Sequence, residues 1–238
     1  MTRRNLEKLV LTAMFCAIIT AMTFIPFVGY ITYGGLSITT LHVVAILGAV
    51  TLGPARGAVI GLVWGVTCLL YALANGTADA AIFLNPLVSV LPRLIVGFAA
   101  GWYFRWFHTL FSKLGRRNAE ATAPAAEAAP ARRPNVLVRW VRSFRGKGPA
   151  VAASAVAAAL GTLTNTVLVI SAIHLFGGSG VVKMGVVLQA IVDTALTLNM
   201  AVELPLAIVV VPAVAMPLFQ EVTGELPSAI VIVADNIV

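Results

Sequence analysis

The stretch AAIFLNPLVSVLPRLIVGFAAGWYFRW, residues 80–106, decides what kind of protein this is. It is apolar for longer than the ~20 residues a helix needs to cross about 30 Å of hydrocarbon. Yet Arg93 lies near its centre, with Pro92 before it and Gly97 four residues on. A charge at mid-bilayer costs about 2.5–3.5 kcal/mol even on the lenient insertion scale, so this arginine needs a partner or a task.

The rest of the chain makes the bilayer reading general. Its 238 residues are 60% hydrophobic and 11% charged, with a mean hydropathy of +0.97, whereas soluble domains carry charge on about a quarter of their positions. Six stretches are long and apolar enough to span as helices, at about 7–28, 38–54, 57–75, 81–106, 149–176 and a last one reaching about 217. The expected fold is therefore an all-α integral membrane protein, a six-transmembrane-helix bundle. The first stretch outruns a signal-peptide core and lacks a clear cleavage site, so it reads as a retained helix. Cys16 and Cys68 fall inside spans and suggest buried thiols rather than a disulfide or a metal site.

Basic residues set the expected orientation. Arg3, Arg4 and Lys8 precede the first span, Arg56 lies between the second and third, and ten further Lys or Arg residues from Arg105 to Lys147 lie around the connection from fourth to fifth, against Lys183 alone in the opposite loops. By the positive-inside rule both termini and that long connection are cytoplasmic, in a multi-pass protein of the cell membrane. The net charge of +7 is then an orientation signal with some attraction to anionic lipid, and no aromatic-interleaved module suggests nucleic acid. The connection contains RNAEATAPAAEAAPARRP, an Ala/Pro-rich segment without apolar period that cannot build a core. This divides one membrane domain into helices one to four (residues 1–108), a basic linker (109–148), helices five and six (149–218) and a cytoplasmic tail (219–238). The segment from Val181 to Leu218 exceeds one span, so an outer helix at about 181–197 is expected before the sixth span proper begins near Asn199.

Polar residues inside the spans cluster toward their outer ends. Thr39, Thr40 and His42 open the second span, Asn85 the fourth, and Asn199 and Glu203, four apart and thus on one helix face, the sixth. Arg93 sits about 12 Å deeper than Asn85 at the helical rise. The run GTLTNT places Thr162, Thr164, Asn165 and Thr166 near the middle of the fifth span. An outward-facing pocket lined from four helices would use them all. Each has a plainer reading: Arg93 paired structurally with Glu203 or Asp193, threonines bonded to their own helix carbonyls, Asn165 as interhelical glue, His42 as a wall residue. Convergence at matching depth on four helices favours a site. In the first span Ala13, Ala17 and Ala21 repeat every four residues, a smooth stripe for another helix inside the bundle or on a partner.

With these residues in hand, ITTLHVVAILGAVTLGPARGAVIGLVWG, NPLVSVLPRLIVGFAAGWYF, GTLTNTVLVI and LNMAVELPLAIVVVPAV, together with the alanine stripe, resemble the substrate-binding S component of an energy-coupling factor (ECF) vitamin transporter, closest to the pantothenate type. The resemblance implies a pocket lined by Tyr30, Tyr33, Thr40, His42, Asn85, Arg93, Asn165, Asn199 and Glu203. Over it lies a lid, VGYITYGGLS, with Gly29, Gly34 and Gly35 as possible hinges and the two tyrosines as covers. It also implies partners: a transmembrane scaffold T component that receives the alanine stripe, and two ATP-binding-cassette subunits that hydrolyse ATP. The chain has no G-x-x-x-x-G-K-[ST] loop, so any ATP-driven step belongs to another chain and no cofactor is expected in this one. Capture of a water-soluble vitamin, pantothenate before riboflavin or folate, is the favoured function. An autonomous small-molecule transporter is the alternative; an intramembrane enzyme is disfavoured by the lack of a His-Glu-x-x-His pair, an aspartate-rich diphosphate site or a serine-histidine arrangement.

Overall fold

The computed structural model describes residues 3–25, 28–33, 36–75, 83–119, 147–176 and 199–223. The expected outer helix at 181–197, Asp193, the hinge candidates Gly34 and Gly35, most of the linker and most of the tail lie outside the described residues. Helix α1 (Arg3–Phe24) leads into a hairpin of strands β1 (Tyr30–Tyr33) and β2 (Leu36–Thr39), followed by α2 (Leu41–Leu52), α3 (Pro54–Asn75), a short α4 (Pro86–Ser89), α5 (Leu91–Ala119) and α6 (Gly148–Phe176); a π-helical turn, Asn199–Glu203, opens α7 (Leu204–Thr223). Five of these helical stretches are long and apolar enough to span a membrane.

The second apolar helix departs from expectation. A stretch read as a span from about residue 38 becomes a strand up to Thr39 and a helix of only 12 residues, about 18 Å long at the helical rise. The apolar body is helical, but the segment before α2 is an antiparallel hairpin in the register Tyr30↔Thr39, Ile31↔Ile38, Thr32↔Ser37 and Tyr33↔Leu36. Its strands are rich in β-branched and tyrosine residues flanking a Gly-Gly pair, the composition that favours a hairpin over a helix. Helix α2 packs against α1, α3, α5, α6 and α7, and ten of its residues are buried. A helix apolar all round belongs inside, so α2 is the axis of the bundle. It ends at Gly53, whose φ of 89° stops the helix, and Pro54 starts the next one.

The decisive run at 80–106 is broken as well. Asn85 caps α4, the chain turns at Val90, and α5 begins at Leu91. Pro92 explains the break: it has no N–H for the carbonyl of Val88, four residues earlier, and its ring crowds the preceding turn. Helices α3 and α5 then cross at backbone contact. A Cβ on Gly57 would collide with the Gly97 carbonyl, one on Gly97 with the Gly57 carbonyl, one on Gly61 with the Arg93 carbonyl, and one on Gly65 with Val90. Glycines 57, 61 and 65 thus form a four-residue row that brings α5 down onto α3, a small-residue seam of the kind that lets membrane helices approach closely.

Because the obstructing atoms are backbone, a methyl group there cannot be relieved by a rotamer change. We expect Gly61→Ala and Gly97→Ala each to cost about 1–3 kcal/mol. In thermal unfolding of the detergent-solubilised protein both should melt earlier, while Gly148→Ala, where an added Cβ meets nothing within 4 Å, should match the parent.

Candidate functional site

The α3–α5 seam delivers Arg93 to a defined place. Its Nη1 donates to the Val88 carbonyl at 2.7 Å, the acceptor that Pro92 deprives of its helical donor. The guanidinium is 5.5 Å from the ring centroid of Trp64 and 5.3 Å from that of Phe83, distances at which a cation is held by aromatic faces. The side chain is only 5% exposed, and its Nε has no hydrogen-bond partner among the described residues. Beside it, Tyr30 of the hairpin stacks on Tyr71 of α3 with centroids 4.7 Å apart. The Tyr30 hydroxyl lies near Cys68, Trp64 and the charge of Arg93 without reaching hydrogen-bond geometry, and the indole Nε1 of Trp64 is likewise buried and unpartnered.

A second group of polar atoms surrounds the start of α2. His42 Nδ1 is 2.7 Å from the Thr39 carbonyl; a carbonyl only accepts, so Nδ1 carries the proton and Nε2 of the neutral ring is left as an acceptor. That Nε2 is buried and has no hydrogen-bond partner among the described residues. Glu203, 1% exposed, accepts the Thr39 N–H at 2.8 Å through Oε1, and its Oε2 is 3.7 Å from His42 Nδ1.

Asn165 joins this level from α6. Gly161 lies against Ile46 and Ala100, and one turn toward the hairpin from these three are Asn165, His42 and Val96. The Asn165 side chain is 4% exposed and its Oδ1 has no hydrogen-bond partner among the described residues. Its threonine neighbours are spent locally, as hydroxyls in apolar helices tend to be: Thr162, Thr164 and Thr166 donate to the carbonyls of Ala158, Leu160 and Thr162.

Residues 7–216 match the family described as the ECF transporter, substrate-specific component. The chain belongs to this family. It is also similar to the pantothenate transporter PanT of Leuconostoc mesenteroides subsp. mesenteroides, 34% identical over 112 residues, which cover 44% of this chain and 55% of that protein. The chain thus spans about half the length of the curated relative it matches. By family this S component is the substrate-specific part of a transporter, and its apolar helices make it a multi-pass membrane protein.

Against the residues expected from sequence, the S component brings Tyr30, His42, Arg93, Asn165 and Glu203 into the hairpin end of the bundle. Thr40 is turned to the hairpin base, where its hydroxyl donates to the Val28 carbonyl at 2.6 Å. Tyr33 closes β1 and Asn199 opens the π-helical turn. Arg93 and Glu203, weighed as an ion pair, have different neighbours: Trp64, Phe83 and the Val88 carbonyl for one, Thr39 and His42 for the other. On α1, Thr12, Phe15, Ile19 and Thr23 are buried while Ala13, Ala17 and Ala21 are exposed, so the stripe looks away from the bundle. Trp64, Tyr71, Phe83 and the glycine row went unread. The spacing 64, 68, 71 on one face of the third span was available as a signal. No group of potential metal ligands occurs among the described residues.

Asn85 has a visible structural task. Its Oδ1 accepts the Leu87 N–H at 3.0 Å and its Nδ2 donates to the Phe176 carbonyl at 2.9 Å, so it caps α4 and ties it to the end of α6. Asn85→Ala should cost about 1 kcal/mol of stability, the usual value of a lost N-cap, read as earlier unfolding in a thermal scan.

Proposed function

We propose that this S component captures pantothenate outside the cell and delivers it inward after docking on a T component energised by two ATP-binding-cassette subunits, which hydrolyse the ATP. The observation that carries the ligand reading is the set of buried polar atoms left without partners at the hairpin end. Arg93 Nε, Trp64 Nε1 and the Tyr30 hydroxyl supply donors on one side; His42 Nε2 and Asn165 Oδ1 supply acceptors on the other. A buried polar group without a partner costs about 1–3 kcal/mol, so five in one region favour a ligand that completes them. Pantothenate is a carboxylate joined through an amide to a chain with two hydroxyls. Its carboxylate suits the cationic, donor-bearing side, since guanidinium donors match a carboxylate, and its hydroxyls can donate to the acceptors. The similarity to a pantothenate transporter supports the same choice.

Orientation follows from charge. Among the described residues, Lys8, Arg56, Arg105, Lys113 and Lys147 lie toward the end away from the hairpin, and by the positive-inside rule this favours the hairpin and pocket outside and both termini inside. The exposed alanine stripe on α1 is the docking face for the T component, where small side chains permit close helix contact.

Two experiments test this. Arg93→Gln should weaken pantothenate binding about 100-fold but that of its neutral alcohol analogue less than about tenfold, because only the acid loses its charge partner; equal losses in a folded variant would overturn the carboxylate role. Ala17→Leu should leave pantothenate binding by the isolated subunit intact and reduce ATP-dependent uptake in reconstituted vesicles about tenfold or more. Loss of binding with unchanged uptake per bound ligand would move the stripe out of the docking role.

A further inference from the structure

The Glu203 carboxylate does something the ligand reading does not require. It is almost fully buried, and the hydrogen bond it accepts comes from the main chain of the last residue of the hairpin, 164 positions away in sequence. The same residue, Thr39, offers its carbonyl to His42. Both main-chain groups of Thr39 are therefore held by buried side chains, one from the π-helical turn that opens α7 and one from α2.

The rest of the hairpin base is tied differently. The Thr40 N–H donates to the Gly29 carbonyl at 3.1 Å and its hydroxyl to the Val28 carbonyl, bonds that join the two ends of the hairpin to each other. Gly29 is packed so closely that a Cβ there would collide with the Met22 carbonyl, so it is fitted against the last turn of α1 and is not a loose pivot. Among the described residues, two contacts that fasten the hairpin to distant helices are the Tyr30–Tyr71 stack against α3 and the bond from Thr39 to Glu203 of the π-helical turn that opens α7. The first is an aromatic contact that can slide. The second is directional and comes from a π-helical turn, a feature that recurs at functional positions in helices.

We propose that Glu203 is a positioning residue, a latch that holds the hairpin closed over the pocket through the Thr39 N–H, and that its release admits and discharges the ligand. The proposal rests on the hairpin acting as the cover of the proposed pocket. A latch of this kind controls the rates of entry and exit together, whereas a residue that touches ligand controls exit.

The test uses the full chain in detergent with Glu203→Gln, which keeps an acceptor oxygen, and Glu203→Met, which fills similar space without one. Hydrogen–deuterium exchange of the peptide covering residues 36–41 is measured without ligand, and binding rates are measured with pantothenate. In Glu203→Met the Thr39 amide should exchange about tenfold faster or more, as expected when its hydrogen-bond acceptor is removed. The association and dissociation rates should both rise, with a smaller change in Kd. Glu203→Gln should stay within about threefold of the parent in all three readings, because an amide oxygen still accepts the bond. Unchanged exchange in Glu203→Met would overturn the latch, as would a rise in dissociation alone. If Glu203→Met does not fold, the parent protein decides: a Thr39 amide exchanging at least about tenfold slower than in an unstructured peptide supports the latch, and one exchanging at the unstructured rate overturns it. Failure of the unmodified protein to bind pantothenate would count against the ligand reading alone, since the exchange measurement is made without ligand.

Discussion

The carbonyl of Val88 is the constraint on which the site depends. Pro92 removes the N–H that would have satisfied it, and inside an apolar bundle there is no water to substitute. Arg93 fills the vacancy with Nη1, which fixes the rest of the guanidinium between Trp64 and Phe83. The arginine that looked out of place in an apolar run is thus held there by the proline beside it. One donor closes the helix break, and the Nε remains buried and unused.

That arrangement works only because α3 and α5 touch through glycine. With a side chain at Gly61 the Arg93 backbone could not lie where it does, and Trp64, three residues on from Gly61, would no longer lie against the guanidinium. Helix α2 is a buried axis whose first turn carries His42 to within 3.7 Å of the Glu203 carboxylate. The short length of α2 follows from its position: a helix enclosed by five others meets protein along its length, so the hairpin can take over the outer part of that segment without exposing it to lipid.

Much of this was legible in the residues. The spans, the break in composition at the linker, the alanine stripe, and the concentration of polar groups toward one end are local properties of the chain, readable by counting apolar and charged positions. So was the family, whose match from residue 7 to 216 covers the same motifs. The hairpin was less legible because its β-branched and tyrosine residues are also apolar enough to pass as the approach to a membrane helix. Asn85 shows the same limit for the site: a polar residue at the mouth of a span reads as a ligand contact, and only its neighbours reveal a cap and a tie to Phe176.

What the sequence by itself determined was membrane character, the all-helical spans and the family, since these depend on sums over local stretches, while the short α2 and the break at Val90 departed from it. Which polar atoms are satisfied, and which are left for something else, was decided only by tertiary structure. Arg93 and Glu203 are both buried polar residues in apolar segments and look equivalent on the page. In space one caps a proline break against two aromatic rings, and the other grips the main chain of a hairpin 164 residues away. Hydrogen-bond partners are assigned by proximity in three dimensions, and the main-chain N–H of Thr39, which carries no mark in its side chain, has no sequence signature at all.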